Sequence, residues 1–102
     1  MSVVVVATLF PFAEHRDEVV AAIAEAVARV HTEDGCEVYA LHEGTDRLVM
    51  IEKWSSKEAR DVHLKAPALV ELGGRLDGKL ASPTEIQLLR PHPAGTQRQG
   101  TL

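Results

Sequence analysis

The sequence predicts a single α+β domain of the ferredoxin-like type, with the element order βαββαβ and one antiparallel sheet. The first observation is a change of period along the chain. Segments that alternate or are continuously apolar, as in strands, flank segments whose apolar residues recur every three or four positions, as in helices. The second is length, since 102 residues suffice for one core but bury only about 60 to 68% of the unfolded surface. Such a domain often gains stability from a partner subunit.

The first strand is predicted over Val3 to Leu9, a run that is almost wholly apolar and mostly β-branched. Such a run is typical of a strand buried on both faces, so it should be central in its sheet. Pro11 ends it. From about Glu14 the apolar residues recur at helical spacing, which predicts an amphipathic helix that ends near Asp34-Gly35, where glycine supplies the C-terminal cap.

An antiparallel hairpin follows, with strands at Cys36 to His42 and Arg47 to Trp54 joined by the turn Glu43 to Asp46. The turn is expected to place His42 opposite Arg47. One face then carries Tyr39, Leu41, Leu48, Met50, Glu52 and Trp54. The other carries Cys36, Val38, Ala40, Val49 and Ile51. Both faces are largely apolar, so each should be covered.

A second helix begins directly after the hairpin. Ser55, with Glu58 three residues later, has the form of a capping box, and the helix that it starts is expected to run to about Ala66. After Pro67, a further short helix should end at Gly73-Gly74. This arrangement carries the chain back towards the sheet for one last strand.

That last strand is predicted at Thr84 to Leu89. Residues 1–90 then form the domain, and residues 91–102, rich in Pro, Gly, Gln and Thr, form a flexible tail. In the ferredoxin-like order the first and third strands are central, and here they are the most apolar. With helices on one sheet face, the other apolar face is expected to pack against a second subunit, giving a homodimer with a dimeric α/β barrel.

Composition and motifs exclude several classes of function. The net charge is −4 and the eleven Lys and Arg are dispersed, which argues against nucleic acid as a partner. No apolar run approaches the roughly 20 residues that span a bilayer, and Val3 to Phe10 lacks the flanks of a signal peptide, so no membrane insertion and a cytoplasmic location are expected. Cys36 stands alone, so an intrachain disulfide is excluded. No metal-ligand spacing, glycine-rich nucleotide motif or Gly-x-Ser-x-Gly elbow is present, and no metal site is predicted.

The candidate site is the segment from Glu52 to His63. Strand residues two apart share a face, so Glu52 and Trp54 point the same way, and the next helix brings His63 back over the sheet. A buried carboxylate needs a partner, so Glu52 either serves a pocket or forms an ion pair with Arg60 or a partner chain. Trp54 is a pocket wall or plain core. His63 is a surface histidine, or a proton acceptor or hydrogen-bond donor near neutrality.

Three stretches carry a family resemblance: Asp34-Gly35-Cys36-x-x-Tyr39, the run from Leu48 to Ala59, and His63-Leu64-x-x-Pro67. Together they resemble the antibiotic biosynthesis monooxygenase (ABM) superfamily, most of all its small bacterial quinol monooxygenase branch. The resemblance covers roughly residues 3–90. It implies a dimeric α+β barrel with a hydrophobic pocket in each subunit, and oxidation of quinols, anthrones or similar aromatics by molecular oxygen without flavin, haem or metal.

The resemblance also implies roles for individual residues. The substrate is its own reductant, so the protein must hold it dry, take its proton and stabilise the anion. His63 is then the candidate base or hydrogen-bond partner, and Glu52 orients it or the substrate. Trp54, Tyr39 and Met50 would shape the substrate pocket. No cofactor is expected.

Other branches of the superfamily supply alternatives. Haem-degrading relatives resemble one another in an Asn on strand 1, a Trp near the place of His63 and a haem-ligating His near the place of Gly73, and this chain has none of the three. Another branch isomerises small phosphorylated sugar-like signals and commonly has His where this chain has Ala68. An isomerase of a small polar metabolite, and a non-catalytic dimeric ligand-binding or stress-response protein, remain the alternatives.

Overall fold

A computed structural model describes residues 1–102. The elements are β1 (Val3–Leu9), a 3-10 turn (Ala13–His15), α1 (Arg16–Val30), β2 (Cys36–Glu43), β3 (Leu48–Trp54), α2 (Lys57–His63), α3 (Pro67–Leu76), β4 (Glu85–Leu89) and α4 (Gln97–Gly100). The strands form one antiparallel sheet in the order β2-β3-β1-β4. The predicted α+β ferredoxin-like fold is confirmed, with β1 and β3 in the centre.

The core lies between the helices and one face of the sheet, here called the inner face. Side chains of a strand alternate between faces, and every second residue of β3 from Leu48 to Trp54 is buried. The helices contribute residues at helical spacing to the same cluster: Val19, Ala22, Ile23, Ala26 and Val30 from α1, and Ala68, Leu72 and Leu76 from α3. This packing fixes α2, which joins β3 to α3, beside the inner face.

The opposite, outer face of the sheet carries no helix residue of this core. It presents the alternate side chains of the strands, and Val6, Ala40, Val49 and Ile51 among them are only half-buried. A continuous apolar strip therefore remains partly open.

None of the helices combines the length and the apolar character that a membrane-spanning helix needs.

The hairpin differs from its predicted register by two residues. His42 lies opposite Val49 rather than Arg47, because the four-residue turn begins one position later, at Gly44. A shift of two keeps each side chain on its predicted face. Cys36 is the exception, since an irregularity between Cys36 and Val38 sets Cys36 opposite Trp54, where it packs on the inner core.

Helix boundaries correct four further predictions. The first helix ends at Val30, and Gly35, with φ of 81°, instead forms the turn into β2. The cap of α2 is Ser56, whose hydroxyl accepts from the Ala59 N–H at 3.1 Å, rather than Ser55. The second helix ends at His63 rather than near Ala66, and the third runs through Gly73-Gly74.

Helix α3 continues because its apolar residues continue. Ala68, Leu72 and Leu76 recur every four positions and are all buried, so packing of Leu76 outweighs the roughly 1 kcal/mol that each interior glycine costs a helix. In the C-terminal segment, residues 97–100 form a single helical turn. The division at residue 90 and the mobility of the tail remain predictions.

Candidate functional site

A cavity of about 700 Å³ lies between the inner face of the sheet, helices α2 and α3, and the segment that joins α3 to β4. Of its 21 lining residues, 12 are hydrophobic. The apolar wall includes Ala7, Leu9, Ile23, Met50, Leu69 and Leu72. Small-molecule sites commonly measure about 300 to 1,000 Å³ and combine apolar walls with a few polar groups. The cavity has the size and lining of a site for a small, mainly apolar molecule.

Glu52 is a buried carboxyl on the wall of this cavity. Its side chain is 6% exposed, and its Oε1 accepts a hydrogen bond from the Trp54 Nε1–H at 2.9 Å. Burial raises the pKa of Glu52, while the hydrogen bond from Trp54 and the charges of His63 and Arg60 act in the opposite direction. The carboxyl therefore holds its proton to higher pH than an exposed glutamate does.

Trp54 lies behind the wall rather than in it. The indole is fully buried and is not among the residues that line the cavity. Its position follows from the strand, since residues two apart share a face and the N–H can reach Glu52. Trp54 therefore acts on the cavity through Glu52 and through its packing, and not by direct contact.

His63 lines the cavity and is 2% exposed, so it is not a surface histidine. Its Nδ1 lies 2.8 Å from Oε1 of Glu33, which is located in the turn between α1 and β2. A carboxylate can only accept, so Nδ1 donates to it. Nε2 makes no hydrogen bond to the protein and is the nitrogen left for a ligand.

Two aromatic rings hold the imidazole of His63. The Trp54 ring centre lies 4.5 Å from that of His63 at an interplanar angle of 32°. The Tyr39 ring lies 5.3 Å from it, edge to face at 68°. Such contacts restrict the rotation of a ring. The imidazole is therefore held by a hydrogen bond to Glu33, by the tilted indole of Trp54 and by the edge-to-face contact with Tyr39.

Tyr39 and Met50 are the two remaining predicted pocket residues, and both line the cavity. Burial raises the pKa of Tyr39 well above its usual range, and the negative charges of Glu52 and Glu33 raise it further. The phenol thus keeps its proton at physiological pH. Because its hydroxyl makes no hydrogen bond to the protein, it can donate one to a ligand.

Sequence reasoning missed Glu33 entirely. It is 30 positions from His63, and no spacing rule joins an acid before one turn to an imidazole in a later helix. Arg60 was considered as a partner of Glu52, but the two side chains form no ion pair. Arg60 instead lines the cavity on its own. His, Cys, Asp and Glu residues nowhere form a group of three suited to a metal ion.

Comparison with known proteins identifies relatives of this chain. Residues 2–72 match the model of a family described as antibiotic biosynthesis monooxygenase. Rv0793 of Mycobacterium tuberculosis, a provisionally named monooxygenase, is 29% identical over 91 residues, which span 87% of this chain and 90% of the relative. Glu33, Glu52 and His63 all lie within the range that matches the family.

Solved structures share the fold. That of Rv0793 superposes with a TM-score of 0.87 at 26% identity, covering 94% of this chain and 100% of the other. A protein from Methanosarcina mazei gives 0.83 at 24% identity, with 88% and 92% covered. One from Caulobacter crescentus gives 0.82 at 24% identity, with 86% and 87% covered. The shared fold thus extends past residue 72 into the C-terminal part of the cavity wall.

Proposed function

The chain belongs to the antibiotic biosynthesis monooxygenase family, and from that premise we propose that it is a cofactor-independent monooxygenase that oxidises a quinol or related electron-rich aromatic with molecular oxygen. The observation that supports this most directly is the pairing of His63 with Glu33 at the wall of an apolar cavity. It supplies a base where an aromatic ring would be held away from water.

Deprotonation is the step for which the site is best suited. With Nδ1 donating to Glu33, Nε2 carries the lone pair that accepts a phenolic proton. The imidazolium that forms is then stabilised by the carboxylate of Glu33, as in other acid–histidine pairs. The phenol of Tyr39 can donate a hydrogen bond to the developing anion, and Glu52 on the same wall orients the substrate.

The overall reaction balances without a further reductant. The quinol anion transfers an electron to oxygen, and the two radicals combine to form a carbon–oxygen bond. Cleavage of the oxygen–oxygen bond leaves one oxygen atom on the ring and releases the other as water. A quinol and one O2 thereby give a hydroxyquinone and one H2O, and all four electrons come from the substrate. The apolar walls protect the reactive species from solvent.

Oxygen uptake with reduced menadione and with anthrone tests this function. Wild-type protein should exceed autoxidation, with one atom of labelled oxygen in the product. His63→Ala should lower the rate by about 100-fold or more, the usual loss for a removed general base. His42→Ala is the control, because His42 is exposed and its ring bonds only its own strand at Ala40. Equal rates for wild type and His63→Ala, or none above autoxidation, would refute the proposal.

The cavity lining favours an aromatic substrate over the two alternatives. An isomerase of a small polar metabolite would act on a ligand rich in hydroxyl or phosphate groups, which this mainly apolar wall suits poorly. A non-catalytic module would be favoured by a pocket filled with its own side chains, whereas this cavity is large. Proton exchange on substrate without oxygen uptake would establish the isomerase instead.

We also propose that the protein is a homodimer joined through the outer face of its sheet. The support is the strip of half-buried apolar residues on that face, since the helices cover only the inner one. In sedimentation at micromolar concentration, wild-type protein should have the mass of a dimer, and Ile51→Asp that of a monomer. Val70→Asp, at a helix position 62% exposed, is the control and should stay dimeric. A monomeric wild type would refute the proposal.

A further inference from the structure

Arg60 is the cationic residue on the wall of the cavity. It lies on α2 one turn before His63, and residues three apart share a helix face, so both side chains reach the same space. The aliphatic residues Leu64, Leu69 and Leu72 line the cavity with it. A guanidinium is thereby positioned among apolar groups beside the proposed base.

The guanidinium of Arg60 lacks partners within the protein. Its Nε is a buried nitrogen with no hydrogen-bond partner, and the side chain forms no ion pair. Four other arginines each pair with a carboxylate, namely Arg16, Arg29, Arg47 and Arg75. A buried donor without an acceptor is costly, and this distinguishes Arg60 from those four arginines.

Glu52 and Asp77 are the two acids on the cavity wall, and neither forms a hydrogen bond or an ion pair with Arg60. One oxygen of Glu52 accepts from the Trp54 N–H, and burial raises the pKa of this carboxyl while the charge of Arg60 lowers it. Glu33 is engaged by His63. Arg60 therefore has no direct carboxylate partner in the protein, and its guanidinium can donate to a ligand.

We propose that Arg60 binds a carboxylate carried by the aromatic substrate, so that the enzyme selects aromatic acids over neutral aromatics. A guanidinium donates two parallel hydrogen bonds to a planar carboxylate, and it does so most strongly where water is excluded. The assignment rests on the proposed function for the substrate's aromatic character. It adds the acidic substituent and the residue that recognises it.

Calorimetric binding of 2-naphthoate and 2-naphthamide tests this assignment without turnover. The two probes share ring size and differ in charge. Wild-type protein should bind the acid at least about tenfold more tightly than the amide, as expected for a charge-assisted pair worth more than about 1.4 kcal/mol. Arg60→Gln should abolish that preference by weakening the acid alone, and Arg60→Lys should retain part of it.

Lys65→Gln is the matched control, because Lys65 is an exposed cation just after α2 that does not line the cavity. It should keep the full preference for the acid. Equal binding of the two probes by wild type, or a preference that survives in Arg60→Gln, would overturn the assignment. Selective binding with no oxygen uptake would count against the monooxygenase reaction alone, and oxygen uptake without selectivity would count against Arg60 alone.

Discussion

Two glutamates in this protein hold a ring nitrogen at nearly the same distance but by different routes. Glu52 accepts from Trp54 at 2.9 Å across two positions of one strand. Glu33 pairs with His63 at 2.8 Å across 30 positions, and only after α1, β2 and α2 have packed. An indole keeps its proton, whereas an imidazole gains and loses one. The local pair therefore holds one residue of the cavity wall in place, and the long-range pair is suited to the chemistry.

The largest expected effect is on stability, at the local pair. Trp54→Ala should lower the free energy of unfolding by about 3–5 kcal/mol, as for other buried aromatics, and leaves Glu52 without its donor. Urea denaturation measures the loss. Trp54→Phe keeps most of the packing and removes only the N–H, so it should cost clearly less. A loss below about 1 kcal/mol for Trp54→Ala would contradict a structural role for this ring.

The long-range pair of Glu33 and His63 should respond in the opposite way. A substitution there should lower the reaction rate strongly and the free energy of unfolding only slightly. Glu33→Gln keeps an acceptor for His63 but removes the charge that stabilises the imidazolium. Hydrogen bonds to charged groups contribute about 1.5–3 kcal/mol, so kcat for a quinol should fall by about 10- to 150-fold. The free energy of unfolding should change by less than about 1 kcal/mol.

Glu37→Gln is the control for that experiment, because Glu37 is an exposed acid whose ion pair with Lys53 lies away from the cavity. It should leave kcat unchanged. A Glu33→Gln variant with wild-type kcat would make Glu33 a structural residue, and the contrast between the two pairs would disappear.

A pH series separates the two carboxyls further. Burial raises the pKa of Glu52 above its value in the unfolded chain, so the folded state binds this proton more tightly. The contribution of Glu52 to stability is therefore present at low pH and is lost as pH rises from the ordinary glutamate range through the raised pKa. Glu52→Gln should remove this dependence, so its stability relative to wild type should increase over that interval. A constant difference would contradict the shift.

The smallest expected effects concern two glycines, Gly35 and Gly74, near which the local sequence predicted a helix end that the structure does not have. A Cβ at Gly74 meets nothing within 4 Å, so Gly74→Ala should stabilise α3 by about 0.5–1 kcal/mol. Gly35→Ala is the counterpart with the opposite sign, since Gly35 has φ of 81° and a Cβ there would lie 2.6 Å from Ala59. Thermal unfolding distinguishes them. Destabilisation by Gly74→Ala would mean that the helix does not continue through this position in solution.

Much of the fold could be predicted because it depends on near neighbours in sequence. A continuous apolar run located β1 and identified it as central, and alternating or helical spacing located the other strands and the three main helices. The errors occur where distant packing decides. Burial of Leu76 carries α3 past two glycines, and the irregularity after Cys36 moves that side chain to the other face.

The candidate site divides in the same manner. Glu52, Trp54 and His63 lie within twelve positions of one another, so a strand and a capped helix were enough to bring them together. No pattern in the sequence indicated that Glu33 would reach His63 or that Arg60 would remain unpaired, because both depend on how the helices pack on the sheet. The sequence also could not show that Trp54 lies behind the cavity wall. The alternation of a strand predicts the sheet face on which a side chain lies, but not how deeply it is buried.

The ring centre of Trp54, the single tryptophan of the chain, lies 4.5 Å from that of His63. Its intrinsic fluorescence can therefore serve as a probe of the site. A protonated imidazole accepts an electron from an excited indole and quenches its emission, whereas a neutral one does so far less. The fluorescence of Trp54 should therefore report the charge on His63 directly, in the unlabelled protein and as a substrate enters.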